Sequence, residues 1–436
     1  MTSKKVPHGA AGLRERLAPA AGARLRKALV AALGQKYGAA SWFALSALRR
    51  GGGAADALHA YRAQLLWERG DSAAAEAMWR GLAARAPRNP DWPLWLSNAA
   101  RTRGDFAAAE RILLDARERG AGGEALGMTI DHYGRWLRRS NVAPAEAEAL
   151  VRDPDATPYR LLHASIFLST EGALELARQG LERVAAHPRH GRQARTELAA
   201  LDALERAGLQ APLPGTLSPA RPWVLVRQPR SDTLVIVFMP PAGGFGATAN
   251  ATQAMLGARP PSACYLYDSR GLYHLAGTDR FAAGYAAMVD GLKALAAETG
   301  ARRVVTLGTS AAGFTAIRAG LDIGADAAIG AGAVTSMTAA AMQADGRLPG
   351  TRTRLLECVP EQARDLRPEL IAQAGRMPVH LFYGGSNRED AMHARHLAGV
   401  AGIILHRIDG LGMHDPLGEL LLRGETAVLE PMLWRR

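Results

Sequence analysis

Cysteine is nearly absent from this chain: Cys264 and Cys358 are the only two. Two thiols cannot build a disulfide framework and cannot supply a thiolate metal site alone, so a stapled secreted scaffold is excluded and no metal is expected. Cys264 sits in the apolar run Ala263–Tyr267, where a buried strand thiol is the plain reading. Aromatic residues are also few, at 6%, yet hydrophobic residues reach 48%, far more than a disordered chain carries. Alanine, arginine and glycine account for that bias. No stretch approaches the ~18–20 continuous apolar residues of a membrane-spanning helix. Met1 to Leu29 lacks an uninterrupted apolar core ahead of a small-residue cleavage site. No secretory signal is therefore expected, and the expected address is the cytoplasm.

Positive charge, by contrast, is plentiful and unevenly placed. The net charge is +12, and residues 1–50 hold ten Lys/Arg against Glu15 alone, which leaves only +3 for the rest. A basic helical segment of this kind suits an anionic membrane surface, nucleic acid or an acidic partner. The plainer account is a solvated arginine-rich face. No zinc pattern, RNA-binding aromatic motif or recognition-helix signature accompanies the charge, so no nucleic-acid partner is expected. Peripheral membrane contact through residues 1–50 stays open.

At 436 residues the chain has room for two or three domains. From about residue 10 to 208, apolar positions recur at three and four and no alternating β-branched run appears, which predicts helices throughout. Gly70-Asp71 and Gly104-Asp105 lie 34 residues apart, and each precedes an alanine-rich helix start. Glycine closes one helix in a left-handed turn and aspartate caps the next. A period of 34 with this turn resembles the tetratricopeptide repeat, closely over 57–120 and loosely beyond. Further hairpins are expected at Tyr133 to Arg139, Ala143 to Leu150, Leu161 to Leu168 and Gly172 to Ala185. Such arrays commonly bind a protein partner on a concave face, and packing on a neighbouring domain is the equal alternative.

Three prolines and a glycine at 211–219 break the helical pattern and mark a linker. Beyond it, apolar β-rich runs occur at Trp223–Val226, Leu234–Met239, Ala263–Tyr267, Val304–Leu307, Ala327–Gly332, Val379–Tyr383 and Gly402–Ile408. Helical stretches at 279–299, 311–321 and 388–400 separate most of them. The expectation is an all-α repeat array followed by a three-layer α/β domain with a mostly parallel sheet. Its parts are a basic segment 1–50, repeats 51–210, a linker 211–220 and the α/β domain 221–436. Residues 338–375 are long enough to form a small helical cap.

The segment Gly308-Thr-Ser310-Ala-Ala312-Gly313 joins a predicted strand to a predicted helix. Small residues on both sides of the serine leave room for a strained turn that exposes Oγ near the positive helix end. This resembles the nucleophile elbow of the α/β-hydrolase fold, with Ala312 standing where the last glycine is usual. A strand-to-helix turn without chemistry is the plainer reading, and further residues bear against it. The partners follow in the order Ser, acid, His. His414, in the loop Leu411-Gly-Met-His414-Asp-Pro416 past the last strand, is the expected base. His393, His396 and His406 fall on a predicted helix or strand and are read as surface or core. The family slot for the acid, after Val379–Tyr383, holds Asn387, and the nearest aspartate is Asp390. Asp390 is favoured and Asn387 is the alternative.

An oxyanion hole needs two backbone donors. Ala311, following the nucleophile, supplies one, and the turn Ala242-Gly243-Gly244 supplies the other, as the resemblance implies. A phosphate-cradling loop is the rival reading there, but the P-loop lysine and a clean Gly-x-Gly-x-x-Gly are both missing. Asp268, Arg270 and Tyr273, after the third strand, read equally as substrate contacts or as local structure. The run Tyr267-Asp-Ser-Arg-Gly-Leu-Tyr273 with the serine turn is similar to a bacterial branch of polysaccharide-associated α/β-hydrolases. The resemblance spans roughly 222–436 and implies a serine acyl hydrolase or acyltransferase without a cofactor. The substrate would be a small acyl ester or an acylated carbohydrate. The rival is an inactive hydrolase-fold scaffold whose repeat array binds a partner. Asp390 far from His414 would favour that rival.

Overall fold

A computed structural model describes residues 54–68, 71–103, 105–123, 125–127, 129–130, 144–208, 223–228, 231–239, 248–257, 260–268, 272–278, 280–281, 284–345 and 358–434. The basic segment 1–50, the linker 211–220, the turn Ala242–Gly244, Arg270 and the hairpin expected at Tyr133 to Arg139 lie outside the described residues. None of the described helices is long and apolar enough to cross a membrane.

The chain divides into two compact units, one of Met1–Ile130 with Met342–Arg354 and one of Asp131–Ala341 with Leu355–Arg436. The first holds α1 (Ala54–Glu68), α2 (Ser72–Arg85), α3 (Asp91–Thr102) and α4 (Phe106–Glu118). Asp71 and Asp105 cap α2 and α4, accepting from the Ala74 and Ala108 amides at 3.1 and 2.9 Å. The first core joins Ala60, Ala63, Ala75 and Ala99 with Trp79, Leu82, Trp92 and Leu96. Small residues on facing turns let the indoles fill the gap, and each buried large side chain contributes about 2 kcal/mol.

The second unit opens with α5 (Pro144–Arg152), α6 (Pro158–Glu171), α7 (Leu174–Val184) and α8 (Gly191–Arg206). Thr157 caps α6 and Gly172 ends it at φ +91°. Gly180 lets α7 approach α6, since a Cβ there would stand 2.0 Å from Ser165 Oγ. These four helices fall in the same unit as the sheet, and α1–α4 fall in the other. Proline breaks a helix locally but does not determine what the flanking helices pack against.

Seven strands follow: β1 (Trp223–Val226), β2 (Thr233–Phe238), β3 (Ser262–Leu266), β4 (Arg303–Thr309), β5 (Ala327–Ala331), β6 (Val379–Gly384) and β7 (Ile403–Ile408). They lie in the order β1-β3-β2-β4-β5-β6-β7. β1 is antiparallel to β3 and every other pairing is parallel. Interspersed are α9 (Ala249–Met255), α10 (Tyr285–Thr299), α11 (Ser310–Ile323), α12 (Ala339–Asp345), α13 (Leu366–Ala372), α14 (Arg388–His396) and α15 (Pro416–Arg423).

Period-two alternation explains the layers. On β2, Leu234, Ile236 and Phe238 meet Met288, Leu292 and Leu295 of α10 and Ala312, Ala316 and Ala319 of α11. Val235 and Val237 face the other way, onto Ala200 and Leu204 of α8, α9 and Leu417, Leu420 and Leu421 of α15. At the amino edge, Thr233 Oγ1 donates to the Leu433 carbonyl at 3.1 Å and Arg303 Nη2 donates to the Met432 carbonyl at 2.7 Å. The order of the strands reverses direction between β2 and β4, the kind of switch point at which open α/β sheets bind ligands.

Candidate active site

Ser310 stands where β4 becomes α11, with φ +55°. Such a backbone costs about 1–3 kcal/mol for a non-glycine residue and is maintained by its surroundings. The neighbours show how. A Cβ at Gly308 would lie 2.4 Å from the Ala312 carbonyl oxygen, and one at Gly313 would lie 2.6 Å from Ala333 Cβ. Ala312 itself packs in the sheet core, which explains why alanine is tolerated at that position. The Val334 amide donates to the Ser310 carbonyl at 3.1 Å, and so fixes the elbow to the chain just past β5. Ala311 is buried in the first turn of α11.

The same stretch past β5 meets the histidine. A Cβ at Gly332, which has φ +55°, would lie 2.7 Å from His414 Cε1 and 3.3 Å from Asp390 Oδ2. His414 Nδ1 and Asp390 Oδ1 are 2.6 Å apart, and Asp390 is almost fully buried. A carboxylate only accepts, so Nδ1 carries the proton and Nε2 keeps its lone pair. Asn387 does not take the acid's place. Its Oδ1 accepts from the Asp390 amide at 2.9 Å, capping α14, and its Nδ2 donates to the Gly412 carbonyl at 3.2 Å. One asparagine therefore aims the aspartate and fastens the histidine loop. The Ser386 amide, bonded to the Leu411 carbonyl at 3.0 Å, adds a second fastening.

The other histidines weighed in the sequence have different neighbours. His393 is buried and its Nδ1 accepts from the Thr335 amide at 3.2 Å, while His396 Nε2 pairs with Asp365 Oδ1 at 2.7 Å. His406 stacks on Phe382 with 4.3 Å between centroids. It also contacts His380, which burial and then the neighbouring His406 push down to about 4.

Of the three residues after β3 singled out by sequence, Asp268 is buried and its Oδ2 accepts from the His274 amide at 2.9 Å. The Tyr273 carbonyl accepts from Thr315 Oγ1 on α11 at 2.6 Å. Tyr273 and His274 both have positive φ, at +54° and +64°. His274, which sequence reasoning passed over, is fully buried with Nε2 2.8 Å from the Met239 carbonyl. A carbonyl accepts, so that nitrogen bears hydrogen and ties the loop to the end of β2. Its signal in the sequence was only adjacency to Tyr273. Cys264 is a buried free thiol whose burial pushes it up to about 12. Among the described residues no group of His, Cys, Asp and Glu has the arrangement of a metal site.

No protein-family model matches the chain, and no curated protein matches it. Several solved structures show partial likeness. An α/β-hydrolase enzyme from the metagenome of sediments of the lagoon of Mar Chica, Morocco, is 13% identical, with TM-score 0.34, over 48% of this chain and 94% of its own. An inhibited esterase B from Lactobacillus rhamnosis is 11% identical, with TM-score 0.35, over 48% and 80%. An esterase of the bacterial hormone-sensitive lipase family is 16% identical, with TM-score 0.34, over 62% and 95%.

Proposed function

We propose that the chain is a serine-dependent acyl hydrolase or acyltransferase of the α/β-hydrolase type, acting through an acyl-enzyme. The observation that carries this reading is the 2.6 Å contact of His414 Nδ1 with buried Asp390, together with its link through Gly332–Val334 to a serine held at φ +55°. In this mechanism Ser310 Oγ attacks an ester carbonyl and its proton passes to His414 Nε2. Asp390 holds the tautomer and stabilises the imidazolium that forms. The Ala311 amide and the turn Ala242–Gly244 receive the developing oxyanion. Collapse expels the alcohol, which takes the proton from His414. Water or a sugar hydroxyl, deprotonated by the same histidine, then releases the acyl group from Ser310.

Hydrolysis and transfer share the first half of this cycle, so the acceptor separates them. O-acyl groups on a carbohydrate are the substrate class in this reading, and α1–α4 form a tetratricopeptide-like surface for a protein partner. The decisive experiment is intact-mass detection of fluorophosphonate labelling on the full chain and on Ser310→Ala. One adduct on the parent and none on the variant supports the reading. A folded parent that takes no label overturns it in favour of an inactive scaffold.

A further inference from the structure

Helix α8 precedes the sheet in sequence and has no part in the chemistry above, yet its polar side chains reach two segments that border it. We propose that α8 is a positioning element of the active site, in which Arg192 fixes the His414 loop through Asp415 and Glu197 fixes the start of α9 through Thr248. The proposal rests on the catalytic reading of Ser310 and His414.

Asp415 directly follows His414 and caps α15, accepting from the Gly418 amide at 3.0 Å. The cap is closed tightly, because a Cβ at Gly418 would lie 2.2 Å from Asp415 Oδ2. Arg192 Nη2 stands 3.6 Å from Asp415 Oδ2 and 2.8 Å from Glu419 Oε2, so one guanidinium spans both ends of the first turn of α15. Arg423 Nε braces Glu419 from the opposite side at 2.8 Å. Burial pushes Asp415 upward, opposed by the Gly418 amide and by Arg192. Burial also acts on Glu419, but Arg192 and Arg423 outweigh it and hold that carboxyl below its usual range.

Glu197 is buried, and its Oε2 accepts from Thr248 Oγ1 at 2.8 Å. The same hydroxyl accepts from the Ala251 amide at 3.0 Å, capping α9. Both bonding directions of Thr248 are thereby used, and its rotamer is fixed. Burial, with the Asp415 charge adding, pushes Glu197 up to about 8 despite the Thr248 bond. A second tie comes from α6, where Ser169 Oγ accepts from Asn250 Nδ2 at 3.1 Å.

Plain packing does not require these groups. Ala200 and Leu204 already seat α8 on the core, and buried ion pairs add little stability over apolar side chains of equal size. What they provide is geometry: the residue beside the base and the cap of α9 are set from one helix. A displacement of about 1 Å in such a loop lowers turnover by up to about 100-fold.

The test compares Arg192→Met, Arg192→Lys, Glu197→Leu and Glu197→Gln in the full chain, with p-nitrophenyl acetate as the probe ester. Hydrogen exchange is followed over residues 409–420. Arg192→Met is expected to lower kcat about 10- to 100-fold with KM nearly unchanged, and Arg192→Lys to recover most of it. Glu197→Leu is expected to lose about tenfold and Glu197→Gln, which still accepts from Thr248, to lose little. Exchange over 409–420 should rise in Arg192→Met. Should that variant fail to fold, Arg192→Met with Asp415→Asn removes the orphaned charge and should still show reduced kcat. Parent-like kcat in the folded Met and Leu variants, or in the double variant, overturns the proposal. If the parent neither labels nor hydrolyses the ester, the catalytic reading falls by itself. Exchange then decides whether α8 anchors the loop, and unchanged exchange overturns that too.

Discussion

The two turns that each touch the stretch past β5 are built by opposite means. At the end of β4 the constraint is backbone and missing side chains: Gly308, Gly313 and a serine at φ +55°. At the ends of β6 and β7 it is polar: Asn387 caps α14 and holds Gly412, while Asp390 holds His414. A nucleophile that keeps one position throughout a reaction is well served by a rigid backbone. A base that gains and loses a proton needs a partner whose charge answers each change. The difference follows the chemistry assigned to each turn.

Replacing the charge at the polar turn tests this most severely. Asp390→Asn should reduce kcat about 10⁴-fold with the fold intact, measured on the probe ester alongside circular dichroism. A loss below tenfold would erase the distinction between the turns. Gly332→Ala should couple both turns, because its Cβ would strike His414 at a positive φ. We expect about 1–3 kcal/mol lower stability together with slower labelling of Ser310. A variant of parental stability and labelling rate would show that β5 does not link them.

Proton linkage gives a smaller effect. Glu197 keeps its proton in the folded chain up to about 8, whereas the unfolded chain releases it near the ordinary carboxyl range. The folded state thus binds the extra proton between those values, and stability falls as pH rises through that window and levels above it. We expect on the order of 3 kcal/mol between pH 5 and 8 by urea denaturation, with the Glu197 share of that slope lost in Glu197→Gln. The smallest effect belongs to Asn387→Ala, which removes a helix cap at about 1 kcal/mol. It should also slow turnover, because the histidine loop loses its tie to Gly412.

Much of this was legible in the residues. All seven strands lie within two residues of the expected runs at every boundary, because a strand covered on both faces is apolar almost continuously. Asp71 and Asp105 were recognisable as caps for the same reason of local chemistry. The elbow was readable because crowding leaves only small residues admissible at 308, 312 and 313. What escaped was long-range. The choice between Asn387 and Asp390 depends on one turn of helix, since the family slot turned out to be the cap of that turn. The association of Pro144–Arg206 with the sheet was one of two equal alternatives in the sequence, because helical periodicity reports a buried face and not what buries it. Nothing in the sequence singled out Arg192 or Glu197, whose partners Asp415, Glu419 and Thr248 lie far along the chain. His274 had only an unusual backbone to distinguish it, and backbone angles leave no trace in a non-glycine letter.

The bonds from Thr233 and Arg303 to the carbonyls of Leu433 and Met432 have a consequence for synthesis. They close the amino edge of the two central strands with residues made 200 and 129 positions later. During translation the sheet can pair its strands as they emerge, but that edge stays open until residues 432–433 leave the ribosome. Closure over so long a loop is slow and leaves apolar strand ends exposed meanwhile. Strand β7 and helix α15, which precede this seam by only a few turns of chain, arrive at the sheet in the same late interval.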